Sequence, residues 1–145
     1  MLTVRQAVTE DIPFLTHVFL SAMCCHITAA RGHWDEVKEQ SQFLEQLQLQ
    51  NTQIVECGGT NVGFFMALDR DQDFEIHTLC IAPEHQRHGL GTAITMHLVA
   101  DAHARKRGVV LSVLKVNTGA RSLYERLGFV ITEETAHHYR MRHST

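Results

Sequence analysis

The segment Gln86, Arg87, His88, Gly89, Leu90, Gly91 stands between a stretch that reads as a strand and one that reads as a long helix. The first N–H groups of a helix have no carbonyl partner inside it, and they point beyond its start. Glycines at 89 and 91 keep side chains away from that point, and the helix dipole adds roughly half a positive charge there. The chemistry such a loop serves is the holding of an anion, a pyrophosphate above all. A dinucleotide fingerprint fails because Ile94 stands where its third glycine belongs, and a P-loop fails because no lysine follows the glycines. Two glycines also suit a purely structural turn, so the loop alone leaves both readings open.

The residues fit one further pattern. Gln86, two residues, Gly89, one residue, Gly91, placed between strand and helix, resembles the acyl-CoA-binding motif of the GNAT superfamily of N-acetyltransferases: Arg or Gln, x, x, Gly, x, Gly or Ala. Downstream, Asn117, Ala120, Leu123-Tyr124-Glu125 and Gly128-Phe129 match the same family's second signature. The resemblance is continuous in type and spacing from Leu79 to Phe129; before that it extends only to the order of elements. It implies transfer of an acetyl group from acetyl-CoA, as co-substrate, to a primary amine of a small molecule or peptide, directly in a ternary complex and without a metal.

By the same resemblance the loop from Gln86 to Thr92 cradles the coenzyme, with Arg87, His88 and Leu90 among its members. His88 departs from the family, which often carries Lys or Arg there; an imidazole facing phosphate would bind more tightly on acidification. The backbone of Leu79 and Ile81 matches the strand edge that pairs with the pantetheine amides, as if the arm were an added strand. Asn117 stands at the turn into a helix, where its amide can cap the helix and also contact pantetheine.

Tyr124 matches the position at which many members place a general acid beside the thioester sulfur. A leaving thiolate has a pKa near about 8.5, so a phenol near about 10 can protonate it while staying neutral at pH 7. Glu75, eleven residues ahead of Gln86, has the spacing at which some relatives carry a catalytic glutamate. A carboxylate titrating near about 4.3 removes an ammonium proton poorly unless burial raises it or water relays the proton. His77 shares a strand face with Glu75, since side chains alternate, and imidazole suits neutral pH better. Either residue can serve as the base, or both can position the acceptor. Cys80 points the other way and reads as core; a covalent acetyl-cysteine route is the alternative.

The elements that must position these residues follow from periodicity. Leu2–Val8 reads as a first strand. Pro13 sits in the first turn of a helix with Phe14, Leu15, Val18 and Phe19 on one stripe, ending near Cys24 to Ile27. The run Thr28–Trp34 reads as an exposed loop before a second helix. Gly58-Gly59 marks a hairpin, and Asp69–Asp73 a second turn. The helix after the glycine loop carries Leu90, Ile94, Leu98 and Ala102 on one face and ends at Gly108. Val109–Val116 reads as a buried central strand. A short helix to Leu127 and a last strand pair follow. This is an α/β chain, and the resemblance implies a twisted, mixed, mostly antiparallel sheet of about six to seven strands with about four helices, one domain over residues 1–145.

Composition sets the remaining limits. With 145 residues, 44% hydrophobic, one core suffices. No signal peptide is read, and no apolar run approaches the roughly 18 residues that span a bilayer, so a cytoplasmic protein without membrane contact is expected. A net charge of -3 argues against nucleic acid as a partner. The four cysteines match no zinc or disulfide pattern and read as buried thiols, and the eleven histidines scatter without metal-ligand spacing. In the family's architecture the acceptor enters near His33, Trp34, Glu36 and the Glu133–His138 turn. A homodimer through the last strands is compatible with the pattern. A second reading, a catalytically silent acyl-CoA-binding module, keeps the loop without the chemistry.

Overall fold

The computed structural model describes residues 2–144. The chain runs through β1 (Leu2–Gln6), α1 (Ile12–Arg31), α2 (Glu36–Gln46), β2 (Thr52–Cys57), β3 (Thr60–Arg70) and β4 (Asp73–Ile81). It continues through α3 (Leu90–Ala104), β5 (Gly108–Leu114), α4 (Thr118–Arg126), β6 (Val130–Glu134) and β7 (His138–His143). The order of elements is the one read from the sequence. Seven strands form one sheet in the order β1-β2-β3-β4-β5-β7-β6, flanked by four α-helices, as the expected fold class requires. The pairs β1/β2, β2/β3, β5/β7 and β6/β7 are antiparallel, whereas β4/β5 is parallel. A parallel neighbour cannot be reached by a tight turn, and α3 is the crossover that returns the chain to the start of β5.

The chain divides into two compact units, residues 1–66 with 78–88, and residues 67–77 with those from 89 onward. The core of the first gathers Leu15, Val18, Ile54 and Phe64, each at most 1% exposed, with Phe43 stacked on Phe19 at 4.5 Å between ring centroids. Gly63 is required there: a Cβ would strike the carbonyl oxygen of Cys80 and the side chain of Ile81. The core of the second gathers Ile94, Val109, Leu111, Phe129 and Met141. Strands β5 and β7 present Leu111, Val113 and Met141 on their buried side, and Ser112 and Arg140 on the other.

Three sequence expectations change. Helix α1 does not stop near Ile27 but runs through Thr28–Arg31, residues that tolerate helix; Gly32, left-handed at φ 82°, ends it with its N–H on Thr28 O at 2.7 Å. Gly108 does not end α3, which closes at Ala104, but begins β5. Of the four free cysteines only Cys80 is buried, Cys24 is half-buried, and Cys25 and Cys57 are exposed. In addition, the stretch Thr9–Arg31 is long and apolar enough to cross a membrane by length and composition. The polar residues scattered along it hide this from a search for an unbroken apolar run. The same composition serves a helix against a core, and Leu15, Val18 and Ile27 are buried.

Candidate functional site

In the first unit, β4 ends with Leu79 half-buried and Ile81 buried. Ala82 N–H donates to Val62 O at 2.8 Å, fixing the strand end. Gln86 then turns back, and its Nε2 donates to Ile81 O at 2.9 Å, so this side chain staples the loop to the strand it leaves. Arg87 follows with φ 66°, a left-handed conformation that costs a non-glycine residue roughly 1–2 kcal/mol. Such strain is held at positions where backbone direction matters. Arg87 and His88 are exposed.

The second unit opens with Gly89, left-handed at φ 77° as the N-cap of α3, and no side chain caps this helix. Its first intrahelical bond is Ala93 N–H to Gly89 O at 3.0 Å, which leaves the N–H groups of Leu90, Gly91 and Thr92 without an intrahelical acceptor. Gly91 is informative because nothing inside the protein demands it. Its φ is not positive, and a Cβ would meet only Leu123 Cδ2 at 3.8 Å, an ordinary contact.

Helix α4 begins at Asn117, whose Oδ1 accepts from Ala120 N–H at 3.2 Å; the expected cap is made. Tyr124 is the one buried residue of this helix, 9% exposed, its ring 5.5 Å from that of Phe129.

Along β4, Ile76 is buried between half-buried Glu75 and exposed His77, which places the latter two on the opposite face. Register pairs between β4 and β5 run from Asp73–Gly108 to Ile76–Leu111, and Leu79 and Ile81 lie beyond the last of them. Glu75 is held by two guanidiniums: Arg70 Nε donates to Oε1 at 2.9 Å and Arg140 Nη1 to Oε2 at 3.2 Å. Burial pushes its carboxyl up, but these two hydrogen bonds and charges outweigh burial and hold it below its ordinary value. The carboxylate is therefore ionised at neutral pH, and the raised pKa that direct proton abstraction would need is not present. Arg70 and Arg140 escaped the sequence reading. Arg70 was within reach of it, since the turn at Asp71, with φ 52°, folds residue 70 back toward residue 75. Arg140 was not, because its place depends on the register of β7 with β5.

Cys80 is 3% exposed, and burial pushes its thiol up to about 12. A thiol so rarely ionised is a poor nucleophile, which argues against the acetyl-cysteine route. No group of three or more His, Cys, Asp or Glu that could hold a metal ion occurs among the described residues. Of the acceptor-side residues, His33 Nδ1 lies 3.2 Å from Arg31 O, Trp34 is half-buried, and Glu36, Glu133 and Glu134 are exposed.

Comparison with known proteins gives a consistent picture. The model of the acetyltransferase (GNAT) family matches residues 20–129. Mycothiol acetyltransferase of Thermobispora bispora is 34% identical over 119 residues, covering 69% of this chain and 40% of that protein. N-alpha-acetyltransferase 40 of Saccharomyces cerevisiae is 39% identical over 64 residues, covering 39% of this chain and 21% of that protein. The chain thus spans well under half the length of these two curated relatives. Among solved structures, PaiA N-acetyltransferase from Thermoplasma acidophilum in complex with coenzyme A superposes with a TM-score of 0.80 at 15% identity, over 100% of this chain and 99% of that one. An acetyltransferase from Thermus thermophilus gives 0.73 at 21% identity, over 100% and 97%.

Proposed function

The chain belongs to the acetyltransferase (GNAT) family, and from that premise we propose that it transfers acetyl from acetyl-CoA to a primary amine of a small molecule or peptide, directly within a ternary complex. The observation that carries this reading is the start of α3, an uncapped helix N-terminus with a glycine at 91 that packing does not require. The N–H groups of Leu90, Gly91 and Thr92 suit the pyrophosphate. On the first unit, Arg87 and His88 are exposed for phosphate, Gln86 holds the loop in place, and the backbone of Leu79 and Ile81 lies on a strand edge suited to the pantetheine amides. Asn117 engages its Oδ1 as a cap, which leaves its Nδ2 for the arm.

In the reaction, the neutral amine nitrogen attacks the thioester carbonyl carbon, an amide C–N bond forms and the C–S bond breaks. The sulfur leaves with its electron pair and takes a proton from the Tyr124 phenol, while the nitrogen gives up one proton that a water relays to His77 and that His77 later returns to solvent. Glu75, ionised, acts as a fixed negative charge that orients a water or the incoming ammonium, and His77 on the same strand face takes the proton through that water. The tyrosine regains its proton from solvent after product release.

Tyr124→Phe tests the assignment. The change keeps the ring against Phe129 and removes only the hydroxyl. Turnover should fall by about 10²–10⁴ with acetyl-CoA affinity retained; unchanged turnover would remove Tyr124 from the mechanism.

A further inference from the structure

Resting on the transfer just proposed, we infer that the acceptor is a small amino acid whose carboxylate is read by Arg140, assisted by Arg70, beside the amine that is acetylated. All the residues concerned lie in the second unit. Ser112 and Arg140 are register partners on β5 and β7, and Arg140 Nη1 donates both to Ser112 Oγ at 3.2 Å and to Glu75 Oε2 at 3.2 Å. The three side chains therefore share one face of the sheet, the face opposite the buried Leu111 and Met141.

Two guanidiniums share one carboxylate, that of Glu75. Each guanidinium carries five N–H donors, more than Glu75 and the Ser112 hydroxyl engage. Glu75 is 13% exposed at its side chain, whereas Arg140 is 33% and Arg70 56% exposed, so the anion at the centre is covered and the cations around it are open. Both bonds from Arg140 run through Nη1, so its Nη2 and Nε donors are left for a carboxylate.

The other charges on this face set the ligand's own charge. Arg142 is engaged by Asp73, with Nη2 to Oδ1 at 2.8 Å and Nε to Oδ2 at 3.2 Å, and its Nη1 donates to Ser144 Oγ at 3.1 Å. Glu133 stands opposite Arg140 across the β6/β7 pair and forms no ion pair among the described residues. With Glu133 counted, two guanidiniums face two carboxylates, so an anion would be taken by the unused N–H donors rather than by surplus charge; a monoanion is accommodated and a phosphate dianion is opposed. Because Arg140 Nη1 touches Glu75 Oε2 at 3.2 Å, an amine beside Glu75 and an anion on Arg140 lie one small molecule apart. An α-amino acid spans that separation.

The test compares initial rates of CoA release with a set of free α-amino acids, their carboxamides and dipeptides of the same residues. The carboxamides hold more neutral amine at pH 7, so nucleophilicity alone favours them. Free acids should nevertheless give kcat/KM at least about tenfold higher, the loss of a charged hydrogen-bonded pair corresponding to that factor or more. Arg140→Gln should bring the acid-to-amide ratio to one or below, and Arg140→Lys should recover part of it. Arg70→Gln, at an exposed turn, should lower the ratio less and remains informative if the Arg140 variants do not fold. A dipeptide preference retained at its C-terminal carboxylate would move the reading to peptides and overturn the small amino acid. Equal rates, or faster amides, would overturn the inference and leave acetyl transfer standing. No release from any amine would overturn the transfer and this inference together.

Discussion

Arg140 donates from Nη1 to Glu75 Oε2 at 3.2 Å, joining residues 65 positions apart in the chain. With Arg70 on the other oxygen, it holds Glu75, one of the two candidate bases, as an anion at neutral pH. Its carboxyl is depressed below its ordinary value, so it stays ionised throughout about pH 5 to 8. Any limb of the kcat/KM profile in that range belongs to another group. Glu75→Gln should lower the rate but keep that limb, and loss of the limb from the variant's pH profile would return Glu75 to the role of base.

Gly91 separates binding from folding. Alanine at this helical position meets nothing tighter than 3.8 Å and should leave stability unchanged or raise it by up to about 1 kcal/mol. Acetyl-CoA affinity should fall at least about tenfold, because the methyl occupies the phosphate's approach. Gly89→Ala, at φ 77°, should instead lose about 1–2 kcal/mol of stability as well. Thermal melts and calorimetric titrations of the two variants check both statements.

Cys80→Ala should retain acetyl transfer and lose modest stability, since the thiol fills core space and is pushed up to about 12 by burial. Intact-protein mass spectra of wild type mixed with acetyl-CoA should show no acetyl adduct. A stable adduct at Cys80 would reinstate the covalent route.

Acid should unfold the protein through its paired carboxylates. Hydrogen bonds from Arg5 hold Asp11 below its ordinary value, and those from Arg142 hold Asp73 below its own. A depressed native pKa means stability fully present above the unfolded value near about 3.9 and lost as pH falls through the native value. Denaturant melts should therefore be flat above about pH 5 in these terms and weaken below about pH 4. Asp11→Asn should cost about 1–3 kcal/mol at pH 7 and make the acid limb shallower, because Asp11 also accepts from Val8 N–H at 2.9 Å.

Asn117→Ala should cost about 0.5–2 kcal/mol, the ordinary value of a helix cap. Asn117→Ser keeps a cap oxygen but not the Nδ2 donors. A loss of coenzyme affinity in Asn117→Ser at unchanged melting temperature would assign the amide to the pantetheine arm, and equal affinity would leave it a cap alone.

What was legible in the sequence is what short-range spacing encodes. The Gly58-Gly59 hairpin, with φ 60° and 85°, the Asn117 cap and the glycine loop all follow from residues within one turn of each other. The end of α1 was misplaced because Thr28–Arg31 carry no breaker and only Gly32 does. Gly108 was taken for a helix stop, yet it is constrained by its surroundings: a Cβ there would press on Arg142 Nη2 at 2.7 Å and Asp73 Oδ1 at 2.8 Å. The Arg140 half of the clamp on Glu75 is hidden for the same reason, since pairing between distant strands sets it, whereas Arg70 lies only five residues from Glu75 across a local turn.

The most direct measurement is a calorimetric titration of the purified protein with acetyl-CoA and with CoA, followed by thiol release on adding amines to the same samples. Acetyl-CoA and CoA should each bind one-to-one, with release of CoA only when an acceptable amine is present. Binding with no release from any amine would favour a silent acyl-CoA-binding module, and no binding of acetyl-CoA would contradict the account at its centre.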